Sequence, residues 1–229
     1  MSIYYLKSNI FYIFKHKKII NVNNSLDKSC NLIIIDNFYK NPDEVRNYAL
    51  LQDFDCTGNF PGFRTIRSYE NLELYEKISF YVNNLGYKII AFNIDPFGHS
   101  NCSFTYSTSN DIPSSWIHVD DFVDDAYKKH PFVLMSGVLY LTPNAPSNSG
   151  TIFYEFNYDD NLYDSNIPFN SYTFDNTKWK KIDTVGNVYN RLVLFNGNIY
   201  HSIDKLFGTN KYNGRLTQNF FFICVKITT

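Results

Sequence analysis

The sequence has no excess of either charge. Its 21 lysines and arginines are matched by 22 aspartates and glutamates, which gives a net charge of −1. Proteins that attract nucleic acid or acidic membranes concentrate positive charge on one surface, and this composition has no such surplus. We therefore expect neither nucleic acid nor a membrane among its partners, and the balance favours small or neutral ligands.

Cysteine is scarce, and its spacing argues against a structural zinc site. The chain has four cysteines, and none of them form the Cys-x-x-Cys pairs of zinc-binding motifs. Scattered thiols are typical of a reducing compartment, so we expect a cytoplasmic protein. Residues 1–24 lack a clean apolar run and a cleavage site, which predicts neither a signal peptide nor a membrane span. The cysteines are Cys30, Cys56, Cys102 and Cys224.

A chain of 229 residues is long enough for one domain with a well-filled core, and a second independent domain is not expected. Residues 1–30 contain two short apolar segments, at 3–6 and 10–14, around a basic turn. We interpret them as an N-terminal arm or edge hairpin. Residues 31–229 are predicted to form the single domain.

Two helices are predicted before a long series of strands. Asn41-Pro42-Asp43-Glu44 has the polar cap, the early proline and the acidic first turn of a helix start, and this helix should extend to about residue 52. Apolar residues from Leu72 recur at helical spacing until Gly86. This order predicts an α+β fold that is mainly β, with one β-sandwich. Strands are predicted at residues 32–36, 88–94, 103–107, 132–141, 151–156, 191–195, 200–203 and 216–227.

Two distant stretches can be interpreted as one metal site. His118 and Asp120 lie two positions apart in Trp116-Ile-His-Val-Asp120, so an extended backbone directs both side chains to the same face. A second histidine would complete a set of two histidines and one carboxylate, which is the ligand set of non-haem Fe(II) oxygenases. His201 is the candidate, because it follows the apolar run 192–195 and the turn Asn196-Gly197-Asn198.

A strand after His201 carries a candidate anion site. In Gly214-Arg215-Leu-Thr217-Gln-Asn219, the residues Arg215, Thr217 and Asn219 share one face. An arginine that faces the interior of a β-sheet protein needs an anion, since an unpaired buried guanidinium is costly. A dicarboxylate would supply that anion through a bidentate pair, and the Thr217 hydroxyl would add a hydrogen bond.

These residues resemble the Fe(II)- and 2-oxoglutarate-dependent oxygenases, and within them the branch related to prolyl hydroxylases. The resemblance covers roughly residues 32–227, and its specific part is the ordered set His118-x-Asp120, His201 and Arg215-x-Thr217. It implies that the first three residues hold iron and that Arg215 binds the distal carboxylate of 2-oxoglutarate. Tyr106 resembles a tyrosine that binds this co-substrate.

The resemblance also implies a fold and an activity. The fold would be a double-stranded β-helix, the jelly-roll or cupin-like barrel, supported by the two N-terminal helices. The activity would be hydroxylation of an amino-acid or peptidyl side chain, with molecular oxygen consumed and 2-oxoglutarate converted to succinate. Two departures bear on the substrate: prolyl hydroxylases usually have lysine at Arg215, and their Gly-Gly pair is Ser149-Gly150 here.

Several alternatives are open at this point. The alternative interpretation of His118 is a surface histidine beside an acidic run, and Asp121 competes with Asp120 as the ligand. The loop 58–67 is either a surface turn or a rim where Arg64 or Arg67 touches substrate. An insertion at about 157–190 is interpreted as a substrate lid, a connector or an extra hairpin. The chain as a whole has two further interpretations: a non-catalytic jelly-roll binding protein, or a cupin-like metal enzyme that does not use 2-oxoglutarate.

Overall fold

The computed structural model describes residues 2–6, 9–16, 30–58, 60–69, 72–92, 101–111, 117–120, 132–157 and 175–227. Within these residues the chain forms antiparallel β-sheets and two α-helices, α1 (Pro42–Leu50) and α2 (Leu72–Asn83). The fold is mainly β with two helices near the N-terminus, as the sequence predicts. No helix in this described part of the chain is long and apolar enough to cross a membrane.

The described strands belong to one large and one small sheet. The large sheet has the order β1-β2-β3-β11-β8-β13-β7-β5-β4, with β6 also beside β13, and the small sheet has the order β10-β9-β12. The strands are β1 (Ser2–Leu6), β2 (Asn9–His16), β3 (Cys30–Ile35), β4 (Cys56–Gly58), β5 (Phe60–Ser68), β6 (Tyr87–Ala91), β7 (Ser103–Ser107), β8 (Val133–Tyr140), β9 (Thr151–Phe156), β10 (Trp179–Val185), β11 (Leu192–Asn196), β12 (Tyr200–Ile203) and β13 (Arg215–Lys226).

The central strands of the large sheet are buried on both faces. On β3 and β11 successive side chains alternate between two cores, as the two-residue period of a strand requires. Ile33 and Leu194 belong to the core beneath α1 and α2, on what we call the helix face. Ile34 and Val193 belong to the core shared with the small sheet, on the inner face. The space between the two sheets is therefore lined by the inner face of the large sheet.

Strand β13 follows the same alternation and carries the predicted anion site. Leu216, Phe220 and Phe222 lie in the core on the helix face. Thr217 is paired directly with Tyr140 of β8, and Tyr140 packs in the core shared with the small sheet. Arg215 and Thr217 therefore belong to the inner face, as the sequence predicts.

One predicted loop is a strand. Residues 58–67 contain two glycines and a proline, which are typical of a turn, but most of these residues lie in β5, paired with β4 and β7. Proline is tolerated near the start of a strand, and glycine allows close backbone approach. Gly62 has φ of +81°, and a Cβ there would lie 2.0 Å from the carbonyl oxygen of Tyr106.

Part of the predicted insertion is also regular. Residues 158–174 lie outside the described residues, but Trp179–Val185 forms β10, which pairs with β9. The alternation expected of a strand is broken because the register shifts between Lys181 and Asp183. This part of the segment corresponds to the hairpin interpretation.

At the other end of the chain, the segments predicted at 3–6 and 10–14 lie in β1 and β2, beside β3 at the edge of the large sheet.

Candidate metal centre

His118 and His201 are brought together by their own backbones. The amide of His118 donates to the carbonyl of His201 at 3.1 Å, and the amide of His201 donates to the carbonyl of His118 at 2.8 Å. Residues that exchange two such bonds lie directly opposite each other in an antiparallel pair, with both side chains on one face. The two imidazole rings consequently lie 4.4 Å apart, measured between centroids.

Asp120 completes the cluster. Its backbone amide donates to the carbonyl of Gly197 at 2.8 Å, which fixes the segment against the turn before β12. The Oδ1 atom lies 3.8 Å from Nε2 of His118, and Oδ2 lies 3.5 Å from Nε2 of His201. One ligand atom from each of the three residues lies within 4.8 Å of the others. Asp121, the competing carboxylate, lies outside the described residues.

His201 is held in the protonation state that a metal requires. Its Nδ1 lies 2.8 Å from the carbonyl of Ile199. A carbonyl only accepts hydrogen bonds, so Nδ1 carries the proton and Nε2 keeps its lone pair toward Asp120. Burial lowers the pKa of His201 to about 4; the Asp120 carboxylate opposes this lowering, and His118 adds a smaller lowering contribution. The imidazole is therefore neutral at neutral pH, and its ring packs on Phe195 at a centroid distance of 4.7 Å.

The cluster is closed on one side and open on the other. The side chains of His201 and Asp120 are 9% and 13% exposed, whereas that of His118 is 38% exposed. Two imidazoles and one carboxylate suit iron and other divalent metals that bind nitrogen and oxygen, and three ligands leave further coordination positions for small molecules. The donor set therefore fits a catalytic metal better than a fully enclosed structural one.

Arg215 is a buried cation. It is 5% exposed, its Nε donates to the carbonyl of Ser149 at 3.0 Å, and its guanidinium lies 5.5 Å from the ring centroid of Tyr140. No aspartate or glutamate forms an ion pair with it among the residues that the structure describes. Burial lowers the pKa of Arg215, because weakly polar surroundings disfavour the charged form. An anion beside this guanidinium would therefore be strongly stabilising.

Tyr140 lies beside Arg215 and was missed by the sequence analysis. It is fully buried, and its hydroxyl lies 2.7 Å from Oγ1 of Thr151. Burial raises the pKa of Tyr140, and the charge of Arg215 opposes that rise. A usable signal existed in the sequence: a tyrosine within the apolar run 132–141 must find a partner for its hydroxyl.

The metal cluster and Arg215 face the same space between the sheets. His201 pairs directly with Phe153 of β9, and Thr151 lies two residues further along that strand on the same face. Two residues of a strand span about 7 Å. Thr151, which contacts Tyr140 beside Arg215, therefore lies roughly 7 Å along β9 from Phe153, the residue paired with His201. This separation is comparable to the length of a five-carbon dicarboxylate.

The other two residues predicted to bind the co-substrate, Thr217 and Tyr106, lie on opposite faces of the large sheet. Thr217 shares the inner face with Arg215, and its hydroxyl lies 3.4 Å from both the carbonyl of Thr105 and Oδ1 of Asn219. Tyr106 is paired with Leu216, so it faces the helices and packs on Phe54 and Phe63. The structure therefore does not bring Tyr106 together with Arg215 and Thr217.

Comparisons with known proteins give limited matches. The family of unknown function DUF6445 matches residues 154–222, which include the end of β9, all of β10, β11 and β12, and much of β13. A search of curated proteins finds no match. Among solved structures, a prolyl hydroxylase from Trichoplax adhaerens in complex with a hypoxia inducible factor peptide fragment aligns with a TM-score of 0.47 and 16% identity, over 83% of this chain and 82% of that one. HygX from Streptomyces hygroscopicus, with nickel and 2-oxoglutarate bound, aligns with a TM-score of 0.46 and 11% identity, over 83% and 82%.

Proposed function

We propose that this protein is a cytoplasmic Fe(II)- and 2-oxoglutarate-dependent dioxygenase that hydroxylates an amino-acid or peptidyl side chain. One observation carries the proposal: a cluster of two histidines and one aspartate shares a space with a buried arginine that has no carboxylate partner among the described residues. The first feature suits a redox-active divalent metal, and the second suits an anion. A 2-oxo dicarboxylate satisfies both at once.

His118, Asp120 and His201 would hold the iron. The hydrogen bond from His201 to Ile199 supports this assignment, because it orients the ring and leaves Nε2 free for a metal. Bound there, Fe(II) would supply the oxygen activation that couples decarboxylation of 2-oxoglutarate to hydroxylation of a substrate C–H bond. The protein supplies ligand geometry, a fixed co-substrate and walls that limit access of water.

Arg215 would bind the distal carboxylate of 2-oxoglutarate. A guanidinium matches a carboxylate in a bidentate pair, and Thr217 lies on the same strand face. Tyr140 is added to this group because it lies against the guanidinium, and Thr151 because its hydroxyl contacts that of Tyr140. Tyr106 is left out because of its position on the helix face.

The open side of the cluster, beside His118, is where a substrate would approach. The assignment of an amino-acid or peptidyl substrate rests on the resemblance of the motif order to that of prolyl hydroxylases. The jelly-roll arrangement remains part of the proposal, and two antiparallel sheets packed through residues such as Phe153 and Phe195 support it.

The test is a stepwise binding and turnover experiment. Protein loaded with Fe(II) without oxygen should bind 2-oxoglutarate and develop the visible charge-transfer band of a chelated 2-oxo acid. On admission of oxygen, one pool among amino acids, peptides and nucleosides should stimulate succinate release. Metal binding without 2-oxoglutarate binding would refute the proposal in favour of the cupin-like alternative. Binding of both without succinate from any pool would favour a non-catalytic binding protein.

A further inference from the structure

A row of polar side chains crosses the inner face of the large sheet, beside the predicted carboxylate site. Thr217 of β13 pairs directly with Thr105 of β7, and Thr105 pairs directly with Arg64 of β5. Residues opposite each other on neighbouring strands place their side chains on the same face. The adjacent residue Phe63 stacks on Tyr106 on the helix face, as strand alternation requires. Arg64 therefore brings a second cation to the inner face, and we call these three residues, Thr217, Thr105 and Arg64, the polar row.

The guanidinium of Arg64 is oriented by its neighbours on this face. Its Nε donates to Oγ1 of Thr105 at 3.2 Å, and its Cζ lies 4.0 Å from the ring centroid of Phe60. Oγ1 of Thr105 also accepts a hydrogen bond from Nδ2 of Asn219 at 2.7 Å. A hydroxyl and an aromatic ring are both neutral, so these contacts fix the position of the charge without neutralising it.

The two arginines of the inner face point to different places. Arg215 contacts Tyr140 of β8 and the carbonyl of Ser149, whereas Arg64 contacts side chains of β7 and β5. Strand β13 lies between β8 and β7 in the sheet. Neighbouring strands are about 4.8 Å apart, so the backbones of β13 and β5 are separated by roughly 10 Å. The two guanidiniums therefore lie on opposite sides of β13 and suit two different anionic groups.

The inner face becomes more accessible away from Arg215. Arg215 and Thr217 are only 5% and 1% exposed. Asn219, the next residue of β13 on the same face, is half-buried, and so is Arg64. The closed end of the space suits a small co-substrate, and the more accessible part beside Arg64 suits a second ligand.

Strand β13 connects the polar row to the metal cluster. Phe221 pairs with Ser136 of β8, and Ser136 pairs with Phe195 of β11, whose ring packs on His201. Asn219 lies on β13 between Phe221 and the polar row. A ligand bound in the polar row can therefore extend along β13 toward the metal cluster.

We propose that Arg64 binds a carboxylate of the primary substrate, so that the substrate is a free amino acid or a peptide that presents a carboxylate. This role rests on the proposed function and adds the chemical group by which the substrate is selected. The metal and Arg215 would hold the two ends of 2-oxoglutarate, so the substrate needs a different cation, and Arg64 supplies it. A guanidinium is well matched to a carboxylate because it can form a bidentate, charge-assisted pair.

The experiment offers three substrate pools to the protein loaded with Fe(II) and 2-oxoglutarate. The pools are free amino acids, peptides with free carboxylates, and the same peptides with every carboxylate replaced by an amide. Succinate release should rise with one of the first two pools, which distinguishes the two sources of the carboxylate, and should not rise with the amidated peptides. Thermal unfolding with Ni(II) in place of Fe(II) measures binding without turnover, and the same pool should raise the melting temperature.

Substitutions of Arg64 should change the response to substrate and not to co-substrate. Arg64→Gln removes the charge-assisted pair, so KM for the active compound should rise by roughly ten- to hundredfold, while affinity for 2-oxoglutarate changes by less than about twofold. Arg64→Lys keeps the charge but loses the planar fork, so its KM should be intermediate.

The matched control is Arg46→Gln. Arg46 is also half-buried, but it lies on α1, where its Nη2 donates to the carbonyl of Tyr212. This variant should keep the original KM. Metal content and affinity for 2-oxoglutarate establish that each variant is folded, and Arg64→Lys keeps the test decisive if Arg64→Gln does not fold.

The outcomes separate the role of Arg64 from the proposed function. If the unchanged protein binds metal and no 2-oxoglutarate, the proposed function fails and the role of Arg64 falls with it. If 2-oxoglutarate binds, the role of Arg64 alone is overturned by an equal response to amidated peptides, by an unchanged KM in Arg64→Gln and Arg64→Lys, or by no response to any carboxylate pool. A pool that raises the melting temperature without succinate release would support binding by Arg64 and refute hydroxylation.

Discussion

Replacing Arg215 by methionine should separate ligand binding from stability. The unbranched methionine follows the aliphatic part of the arginine and avoids a large change in shape. A charge-assisted pair with a carboxylate contributes about 1.5–3 kcal/mol, so affinity for 2-oxoglutarate should fall by roughly ten- to hundredfold. Metal binding should be unchanged, because the arginine is not part of the ligand cluster.

The stability of the ligand-free protein should change little. The substitution removes the hydrogen bond from Nε to the Ser149 carbonyl, which contributes about 1 kcal/mol. It also removes a buried cation that has no carboxylate partner in the described part of the chain, and relief of that desolvation offsets the loss. We therefore expect the free energy of unfolding to change by less than about 1 kcal/mol or to rise.

Arg191 provides the contrasting control. Its guanidinium already has a carboxylate partner, with Nε and Nη2 at 2.6 and 3.0 Å from the two oxygens of Asp36. Arg191→Met should lower the free energy of unfolding by about 1 kcal/mol, a modest value because the pair is partly exposed. Its affinity for 2-oxoglutarate should stay within about twofold of the original, well below the effect of one lost hydrogen bond.

The assay is urea unfolding without ligand and calorimetry of 2-oxoglutarate with the metal-loaded protein. A bound ligand stabilises the native state by about 2.7 kcal/mol at a concentration one hundred times its dissociation constant, so Arg215→Met should need ten- to hundredfold more 2-oxoglutarate for that shift. The reasoning is refuted if Arg215→Met binds 2-oxoglutarate normally and loses several kcal/mol of stability. Arg215 would then be a structural residue.

Three further predictions concern the same space. His118→Ala, Asp120→Ala and His201→Ala should each abolish stoichiometric binding of Fe(II) or Ni(II) measured by elemental analysis, and unchanged metal content in all three would exclude the cluster as the site. Tyr140→Phe should lower the free energy of unfolding in urea by about 1–3 kcal/mol, because it leaves the buried Thr151 hydroxyl without its partner. An unchanged urea midpoint would show that this hydrogen bond contributes little to stability. Gly150→Ala should lower the melting temperature and weaken 2-oxoglutarate binding, because the added Cβ would lie 1.8 Å from a backbone oxygen. In the control Gly186→Ala the nearest atom would lie 3.2 Å from the added Cβ, so the melting temperature and the affinity should both fall less. Equal effects of the two substitutions would contradict this packing argument.

Part of the candidate metal centre was predictable because it depends only on the two-residue period of an extended chain. His118 and Asp120 share a face on any extended backbone, and the apolar run before His201 identifies the strand that precedes it. Arg215 and Thr217 were assigned to one face by the same two-residue period. Such patterns need no knowledge of which strands are neighbours.

Features that depend on strand register were not predictable in this way. Tyr106 faces the helices because it pairs with Leu216, and a shift of one residue would have reversed its direction. Strand β5 was obscured by Pro61 and Gly62, whose roles depend on the strand that approaches them. Tyr140 was not identified because its contact with Thr151 joins two strands of different sheets, β8 and β9, through their side chains.

The reciprocal backbone hydrogen bonds between His118 and His201 have a consequence for folding. Both imidazoles of the candidate metal centre are held by one main-chain pairing between segments that are far apart in the chain. Closing such a long loop is slow and entropically unfavourable, so the metal cluster exists only after the strand pairing around β12 has formed. A metal that binds this cluster would stabilise the pairing itself, in proportion to its affinity for the native state over the unfolded chain. Iron would then cross-link two segments that are distant in the chain, and its removal by a chelator would accelerate opening of the small sheet.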